Sequence, residues 1–424
     1  MKVAIITAGI LPVPAVRGGA VETLVENLAQ ENEKYRQMEL TIISIYDPAA
    51  AALAKRYRHT RFIFVRPGRP AAALDKWIYT LATNVLRIGG SASYRYLLQR
   101  YLVLRKAARI LATDDFDKVI LENSATLFRA LKYRHNAQKY AGKYYFHIHN
   151  RVTGSYGCTS IIQHCQILAV SRYIQKTLPD FMQRIPGSDL HVVPNGIDTD
   201  RFNLRLSPAQ RAARRQSYHL AANDFVLLFT GRIVAEKGIR EVIQAFCRLN
   251  RQHLKLLIVG GSFFSSDIKS KFEQELRMMI DRSNRRRDII FTGFIPYQQM
   301  PLIYALADIA VLPSMWNEPA GLTMLEAMAG GLPVITTDAG GIPEYVHPDC
   351  AVILKHDQDM AIQLTAAIQA LIGDNERRIN MATAGASRAQ SFNLDAYYFR
   401  FLQEIAVDVT FNQQRVRSSL GNEF

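Results

Sequence analysis

Short apolar runs, each too brief for a helix, recur along the chain with helical stretches between them. This alternation restricts the fold more than any other feature. In the first half the runs are residues 3–7, 40–46, 62–65, 119–121, 144–148, 167–170 and 192–193. In the second half they are 225–230, 256–259, 289–292, 309–312, 334–336 and 351–354. They are near-continuous in Val and Ile rather than alternating with polar residues, the pattern of parallel strands covered on both faces. A chain of 424 residues is too long for one ordinary core. Strand–helix alternation in both halves therefore predicts an α/β protein of two doubly wound, Rossmann-like domains. The turn Pro194-Asn195-Gly196 ends one run and a polar, charged segment follows it, so the expected domains are 1–196 and 197–392, followed by a C-terminal segment, 393–424, with a final helix over 393–409.

Open sheets of this kind bind ligands beyond the carboxyl ends of their strands. That rule gathers residues distant in sequence: Gly18-Gly19 after the first run, His149 after the fifth, and, in the second half, Gly231-Arg232, Gly260-Gly261 and Glu318. All are expected to face one cleft between the domains. Glu318 and Glu326 bracket the stretch EPAGLTMLE, and a helix is predicted to start near Gly321. Backbone N–H groups at a helix start favour anions. A carboxylate just before them would repel phosphate, so Glu318 suits neutral hydroxyls. Glu326, further into the helix, suits a diol such as ribose. The layout fits a nucleotide-sugar.

Arg232 and Lys237 follow a strand end at Thr230-Gly231. Arg can clamp a diphosphate with paired hydrogen bonds, and Lys adds a point charge; the alternative is a basic surface turn. The Walker spacing G-x-x-x-x-G-K-[ST] is absent. Gly18-Gly19-Ala20-Val21-Glu22 lets the backbone approach a ligand, or is a plain tight turn. His147 and His149 lie on the same side of a strand. His149, at its end, is the functional candidate, and His147 sits deeper among aromatics.

The formal charge is +15, and residues 51–143 carry 19 Lys/Arg against 5 Asp/Glu, nearly the whole excess. Arg95, Gln99, Lys106 and Arg109 alternate with Leu97, Tyr101, Leu104, Ala108 and Leu111 at helical spacing. Such a helix either packs on a sheet with a solvated outer face or meets anionic lipid or a phosphate-bearing acceptor. It contains no recognisable nucleic-acid reader, so no nucleic-acid partner is expected. No stretch reaches the roughly 18 apolar residues of a spanning helix, and the N-terminus reads as a first strand and loop rather than a leader. Cys158, Cys165, Cys247 and Cys350 form no C-x-x-C and are expected to stay reduced. Cys158, His164 and Cys165 lack a second ligand cluster. The pairs Asp115/Asp117, Asp198/Asp200 and Asp357/Asp359 read as loop acids rather than metal ligands.

Taken together, EPAGLTMLEAMAGGLPVI, the GR-x4-KG of residues 231–238, VPNGID at 193–198 and the early GGAVE resemble glycosyltransferase family 4. The resemblance covers nearly the whole chain in the family's order and spacing. It implies the GT-B architecture, two Rossmann-like domains facing across a cleft with the helix of the 393–424 segment crossing back to the first domain, and retaining transfer from a sugar nucleotide. It also implies roles. Glu318 would bind hydroxyls of the transferred sugar, and backbone at Gly321, Leu322 and Thr323 would meet phosphates and sugar. Glu326 would hold the ribose, and Arg232 and Lys237 would stabilise the leaving diphosphate. Gly18 and Gly19 would approach the phosphate from the other domain, with the Gly19 N–H donating. His149 would reach the donor sugar, and backbone around Phe294-Ile295-Pro296 would meet the base. The catalytic set is thus Glu318, His149, Arg232 and Lys237. Two positions depart from the family: Ala320 stands where Phe is common, and Gly330 where Cys is common.

The expected reaction is sugar transfer from a nucleoside diphosphate to a hydroxyl of a glycan or lipid-linked acceptor in cell-surface polysaccharide or glycolipid synthesis. No metal or other cofactor is expected. The rivals are a sugar-nucleotide epimerase and a non-catalytic, transferase-like subunit of a membrane complex; a docking subunit would need none of Glu318, Glu326, Arg232 and Lys237. The expected location is cytoplasmic, peripheral on the inner face of the membrane, attached through the basic 51–143 region. Base, sugar, acceptor and oligomeric state are left open.

Overall fold

The apolar runs become two all-parallel sheets. The computed structural model describes residues 1–81, 96–182, 190–261, 271–356 and 359–406. The chain divides into two compact units, Met1–Val193 together with the chain from Tyr397 onward, and Pro194–Ala396.

In the first unit the strands are β1 (Lys2–Ile6), β2 (Glu39–Ile45), β3 (Thr60–Val65), β4 (Lys118–Glu122), β5 (Tyr144–Ile148), β6 (Gln166–Ala169) and β7 (Leu190–Val192), in the order β3-β2-β1-β4-β5-β6-β7. The central β1 pairs with β2 at Val3↔Leu40 and with β4 at Val3↔Lys118. Its residues 3–6 are fully buried, which is why this segment carries no polar alternation. The order reverses at β1, so the crevice beyond the carboxyl ends of β1 and β4 is the switch point of the sheet.

Helix α1 (Ala20–Tyr35) starts at Gly19, whose φ is +105°, and ends at Arg36 in the left-handed region. Its buried Asn32 exchanges two hydrogen bonds with the Met38 backbone (3.0 and 3.1 Å), closing the turn into β2. Helix α2 (Arg69–Thr80) is followed by α3 (Leu97–Thr113), the basic helix of the sequence reading. Its core stripe is Val103, Leu104, Ala107, Ala108, Ile110 and Leu111. Leu97 and Tyr101, expected on the apolar face, are instead 40% and 47% exposed; beside them the N–H groups of Leu98 and Gln99 donate to Asp75 of α2. Gln99 is not a solvated outer residue either: its amide donates to the Gly9 carbonyl at 2.8 Å. Arg95 lies outside the described residues.

The second unit contains β8 (Phe225–Thr230), β9 (Leu254–Val259), β10 (Ile289–Gly293), β11 (Ile309–Leu312), β12 (Val334–Thr337) and β13 (Ala351–Leu354), in the order β10-β9-β8-β11-β12-β13. Here β8 is the switch strand, pairing at Leu227 with both Leu256 of β9 and Ile309 of β11. Helix α4 (Ile239–Arg248) follows β8, and α5 (Leu322–Ala329) follows β11. One core lies on each face of this sheet: α5 fills one with Met324, Leu325 and Met328, and α4 fills the other with Val242, Ile243 and Phe246.

The last helix, α6, runs over Leu394–Ala406, and from Tyr397 it belongs to the first unit. The expected end at Val409 lies outside the described residues. Tyr398 donates to Asn32 at 3.0 Å and stacks on Tyr35, while the Phe401 ring lies 5.9 Å from that of His147. No helix among the described residues is long and apolar enough to cross a membrane.

Candidate active site

Each unit gathers its candidate residues at the carboxyl ends of its central strands. In the second unit the loops after β8 and β11 are tied together by backbone. Met315 donates its N–H to the Glu236 carbonyl at 2.8 Å, and Thr337 holds the Ser314 carbonyl at 2.8 Å. Two glycines make the approach possible. Gly238, with φ +71°, sits where a Cβ would fall 2.0 Å from the Pro313 oxygen. Gly340, at φ +66°, sits where one would fall 2.4 Å from the Glu318 oxygen. The Gly341 N–H then donates to that same Glu318 carbonyl at 2.7 Å.

The result is a fixed polar cluster. Lys237 Nζ donates to Glu318 Oε1, and the Ser314 hydroxyl donates to the same oxygen at 2.9 Å. Lys237 is thus not an isolated cation aimed at phosphate; in this structure its charge faces Glu318. Arg232 is half exposed, with only a 4.0 Å approach to Glu236. Gly321 caps α5, and the Leu325 N–H donates to its carbonyl at 3.0 Å, which leaves the helix-start N–H groups of Leu322 and Thr323 outside the α-helical ladder. Ile295 is partly buried against the core that α5 joins, close in sequence to the exposed Phe294.

Glu326 differs from Glu318 in its partners. Its carboxyl accepts from the Tyr304 hydroxyl at 2.8 Å, and Tyr304 in turn faces Thr230 Oγ1 at 3.1 Å. Burial pushes Glu326 up to about 7, while the hydrogen bonds from Tyr304 and Tyr297 pull the other way. Gly330, where the family commonly has Cys, accommodates this arrangement: a Cβ there would lie 3.1 Å from the Tyr304 Cβ.

In the first unit Gly19 has φ +105°, and a Cβ on it would strike the Glu22 carboxylate at 2.2 Å. Gly18 needs its positive φ of +75° for the turn alone, since open space surrounds it. Glu22 is buried, and burial is the main reason it rises to about 7; its own backbone N–H opposes this and the charge of Glu122 adds to it. Glu122, the last residue of β4, is wholly buried between two imidazoles. His147 Nδ1 lies 3.2 Å from Oε1 and His149 Nε2 lies 3.0 Å from Oε2. Burial would raise the Glu122 carboxyl, but the charge of His147 and the hydrogen bonds from both rings outweigh it and hold the group at about 2. Burial, with His147 adding, brings His149 down to about 4 against the pull of Glu122.

Sequence reasoning missed Glu122, Ser314, Tyr297 and Tyr304. Glu122 was findable, since it ends a central strand beside β5. The tyrosines carried no spacing signal. Among the described residues Glu122, His147 and His149 form a group with metal-ligand chemistry, their ligand atoms within 4.8 Å of one another. Among the described residues the outer nitrogens, His147 Nε2 and His149 Nδ1, have no hydrogen-bond partner, whereas metal-bound histidines ordinarily donate from the second nitrogen. The group therefore reads as a hydrogen-bonded triad. Of the aspartates, Asp115 pairs with Lys139, Asp117 accepts from the Lys2 backbone, and Asp198 and Asp359 cap helices; Asp357 lies outside the described residues. The four cysteines are free thiols, and His164 faces the Ser160 carbonyl at 2.8 Å.

Two switch-point sheets with a helix start after a central strand are the Rossmann-like domains of the GT-B fold, and comparison with known proteins supplies the family. Residues 21–201 match the Glycosyltransferase Family 4 model and residues 210–388 match Glycosyl transferases group 1. The chain belongs to glycosyltransferase family 4. It is 26% identical over 403 residues to Spore coat protein SA of Bacillus subtilis, covering 92% of this chain and 95% of that one. It is 27% identical over 321 residues to the lipopolysaccharide 1,2-N-acetylglucosaminetransferase of Salmonella typhimurium, covering 67% and 80%. The fold is similar to that of Anabaena Alr3699/HepE, solved in complex with UDP and glucose, with a TM-score of 0.70 at 19% identity over 96% of this chain and 100% of that one.

Proposed function

We propose that the protein is a retaining, metal-independent transferase. It moves a sugar from a nucleoside diphosphate to a hydroxyl of a glycan or lipid-linked acceptor, in cell-surface polysaccharide or glycolipid synthesis. The observation that carries this reading is the convergence of Lys237 and Ser314 on Glu318, one turn before the N-terminus of α5. A part-buried Lys–Glu pair beside a helix start, with the half-exposed Arg232 on the same loop, suits a site for a sugar joined to a diphosphate. The relative named as a lipopolysaccharide N-acetylglucosaminetransferase supports such an acceptor.

In the reaction the bond between the anomeric carbon and the diphosphate oxygen breaks, and a bond to the acceptor oxygen forms on the same face. The acceptor's proton passes to the leaving phosphate. Negative charge grows on the diphosphate, where Arg232, Lys237 and the α5 N–H groups stabilise it. Each such contact is worth roughly 2.7–4 kcal/mol in the transition state. Lys237 exchanges part of its contact with Glu318 for the diphosphate, freeing Glu318 to accept from sugar hydroxyls. Glu326 receives the ribose hydroxyls, and backbone at Ile295 meets the base. Gly18, Gly19 and His149 serve the phosphate and sugar from the first unit.

A thermal-shift screen over sugar nucleotides and nucleoside diphosphates identifies the donor, since only a bound ligand raises the midpoint. NMR of the product then reports the anomeric configuration. Inversion, or transfer that requires a divalent ion in the presence of chelator controls, overturns this reading. Residual turnover in Glu318→Gln with no trapped glycosyl-enzyme supports the same-face route.

Attachment to the cytoplasmic face of an anionic membrane is proposed through region 51–143. Its charge excess is joined by exposed Leu74, Trp77, Leu97 and Tyr101 on α2 and α3. Equal flotation with neutral and anionic liposomes would remove the idea.

A further inference from the structure

We propose that Glu122 is a positioning residue for His149: its carboxylate fixes which ring nitrogen carries the proton and so presents Nδ1 as a hydrogen-bond acceptor for a substrate hydroxyl. The substrate half of this statement rests on the transferase reading above; the ring assignment does not.

The geometry leads there in steps. Glu122 is 0% exposed and its two oxygens face His147 Nδ1 and His149 Nε2 at 3.2 and 3.0 Å. An ionised carboxylate only accepts hydrogen bonds, so the His149 nitrogen facing it must donate. A neutral imidazole has one N–H, and with Nε2 carrying it Nδ1 is a bare lone pair. That atom is buried and has no hydrogen-bond partner among the described residues. The opposite tautomer would set a lone pair against a carboxylate and bury an N–H without an acceptor, two penalties at once. The position of the ring is fixed as well. Asn123, next to Glu122, accepts from the His149 backbone N–H at 3.0 Å and donates its own N–H to the His147 carbonyl at 2.8 Å. The end of β4 thus sets both the backbone and the protonation of the end of β5. The other carboxyl whose charge bears on Glu122 is Glu22, which burial raises to about 7. The ring of Phe401, in α6, closes the His147 side.

A lone-pair acceptor at the carboxyl end of a central strand recognises a donor, and hydroxyls are the donors a sugar offers. Long-range ¹⁵N–¹H NMR of the wild-type protein labelled at histidine reads the tautomer directly, with His149→Phe supplying the assignment. The expected spectrum at pH 7 has an unprotonated Nδ1 and a protonated Nε2 on His149. A protonated Nδ1, as the other tautomer or as imidazolium, overturns the proposal without reference to activity. In Glu122→Gln the side-chain amide can accept from only one ring. Its kcat is expected to fall about 10- to 100-fold with the donor KM within about threefold. The double variant Glu122→Gln/His149→Phe is expected to be no slower than His149→Phe alone, because Glu122 acts through that ring. Additive losses overturn the coupling. Failure of the wild type to transfer sugar from any nucleotide donor strikes the functional reading and leaves the ring assignment standing.

Discussion

Glu122 in the first unit and Glu326 in the second are both buried carboxylates near the carboxyl ends of parallel sheets, yet they titrate far apart. Glu122 is held at about 2 and Glu326 at about 7. Burial acts on both in the same direction, so the partners decide. Two imidazoles, which can carry positive charge, keep Glu122 ionised. Two phenols, which offer only neutral hydrogen bonds, leave Glu326 near the point where it shares its time between charged and neutral forms. A ribose offers the same kind of neutral hydroxyl donors that Tyr304 and Tyr297 already provide, which makes Glu326 a group that hydroxyls can tune. Glu318 is a third solution, a carboxylate beside a lysine.

The largest effect expected is on turnover. Lys237→Ala leaves Glu318 without its cation and, on the proposed mechanism, the diphosphate without one contact. It should lower kcat about 100- to 1,000-fold, measured as sugar transfer at saturating donor. A loss under threefold would mean that Lys237 serves only its neighbour.

The next effects are on stability and have opposite signs in the two units. For Glu326 the folded value is raised, so its contribution is full below about 4.5 and is lost as pH rises through about 7, roughly 3 kcal/mol. For Glu122 the folded value is lowered, so its contribution is present above about 4.5 and is lost as pH falls through about 2, again roughly 3 kcal/mol. Denaturant titrations from pH 3 to pH 9 test both. Glu326→Gln should flatten the neutral-to-alkaline side of the profile and Glu122→Gln the acid side. Glu22, also raised to about 7, adds a second alkaline loss that neither variant removes.

Gly340→Ala tests how the backbone places Glu318. At φ +66°, with a Cβ 2.4 Å from the Glu318 oxygen, it should cost at least about 1–3 kcal/mol from conformation alone, and activity should fall with it. Smallest is Tyr304→Phe, expected to cost about 1 kcal/mol for one buried hydrogen bond and to move the Glu326 transition further upward. A downward move would refute the idea that phenol partners hold Glu326 down.

Much of this was legible in the residues. Every apolar run of the sequence reading lies on a strand, because a strand covered on both faces by helices must be apolar at successive positions, and composition alone records that. The E-x7-E helix start and its glycines were legible for a similar reason: left-handed backbone and sub-van der Waals approach leave glycine as the residue that fits. The basic helix was legible as a helix but not in its facing, since Leu97 and Tyr101 are exposed beside the contacts of Leu98 and Gln99 with Asp75 of α2. What spacing could not supply was pairing across strands and helices. Lys237 meets Glu318 across 81 positions, Tyr304 meets Glu326 across 22, and His149 meets Glu122 across 27.

The sequence by itself determined two domains of buried parallel strands and the residue types waiting at the strand ends, because hydrophobic periodicity and glycine stereochemistry are local properties written residue by residue. Only the tertiary structure decided which carboxylate is charged. That depends on the atoms packed within a few ångströms of each oxygen, and it is the register of β4 against β5, and of α5 against Tyr304, that brings imidazoles to one and phenols to the other.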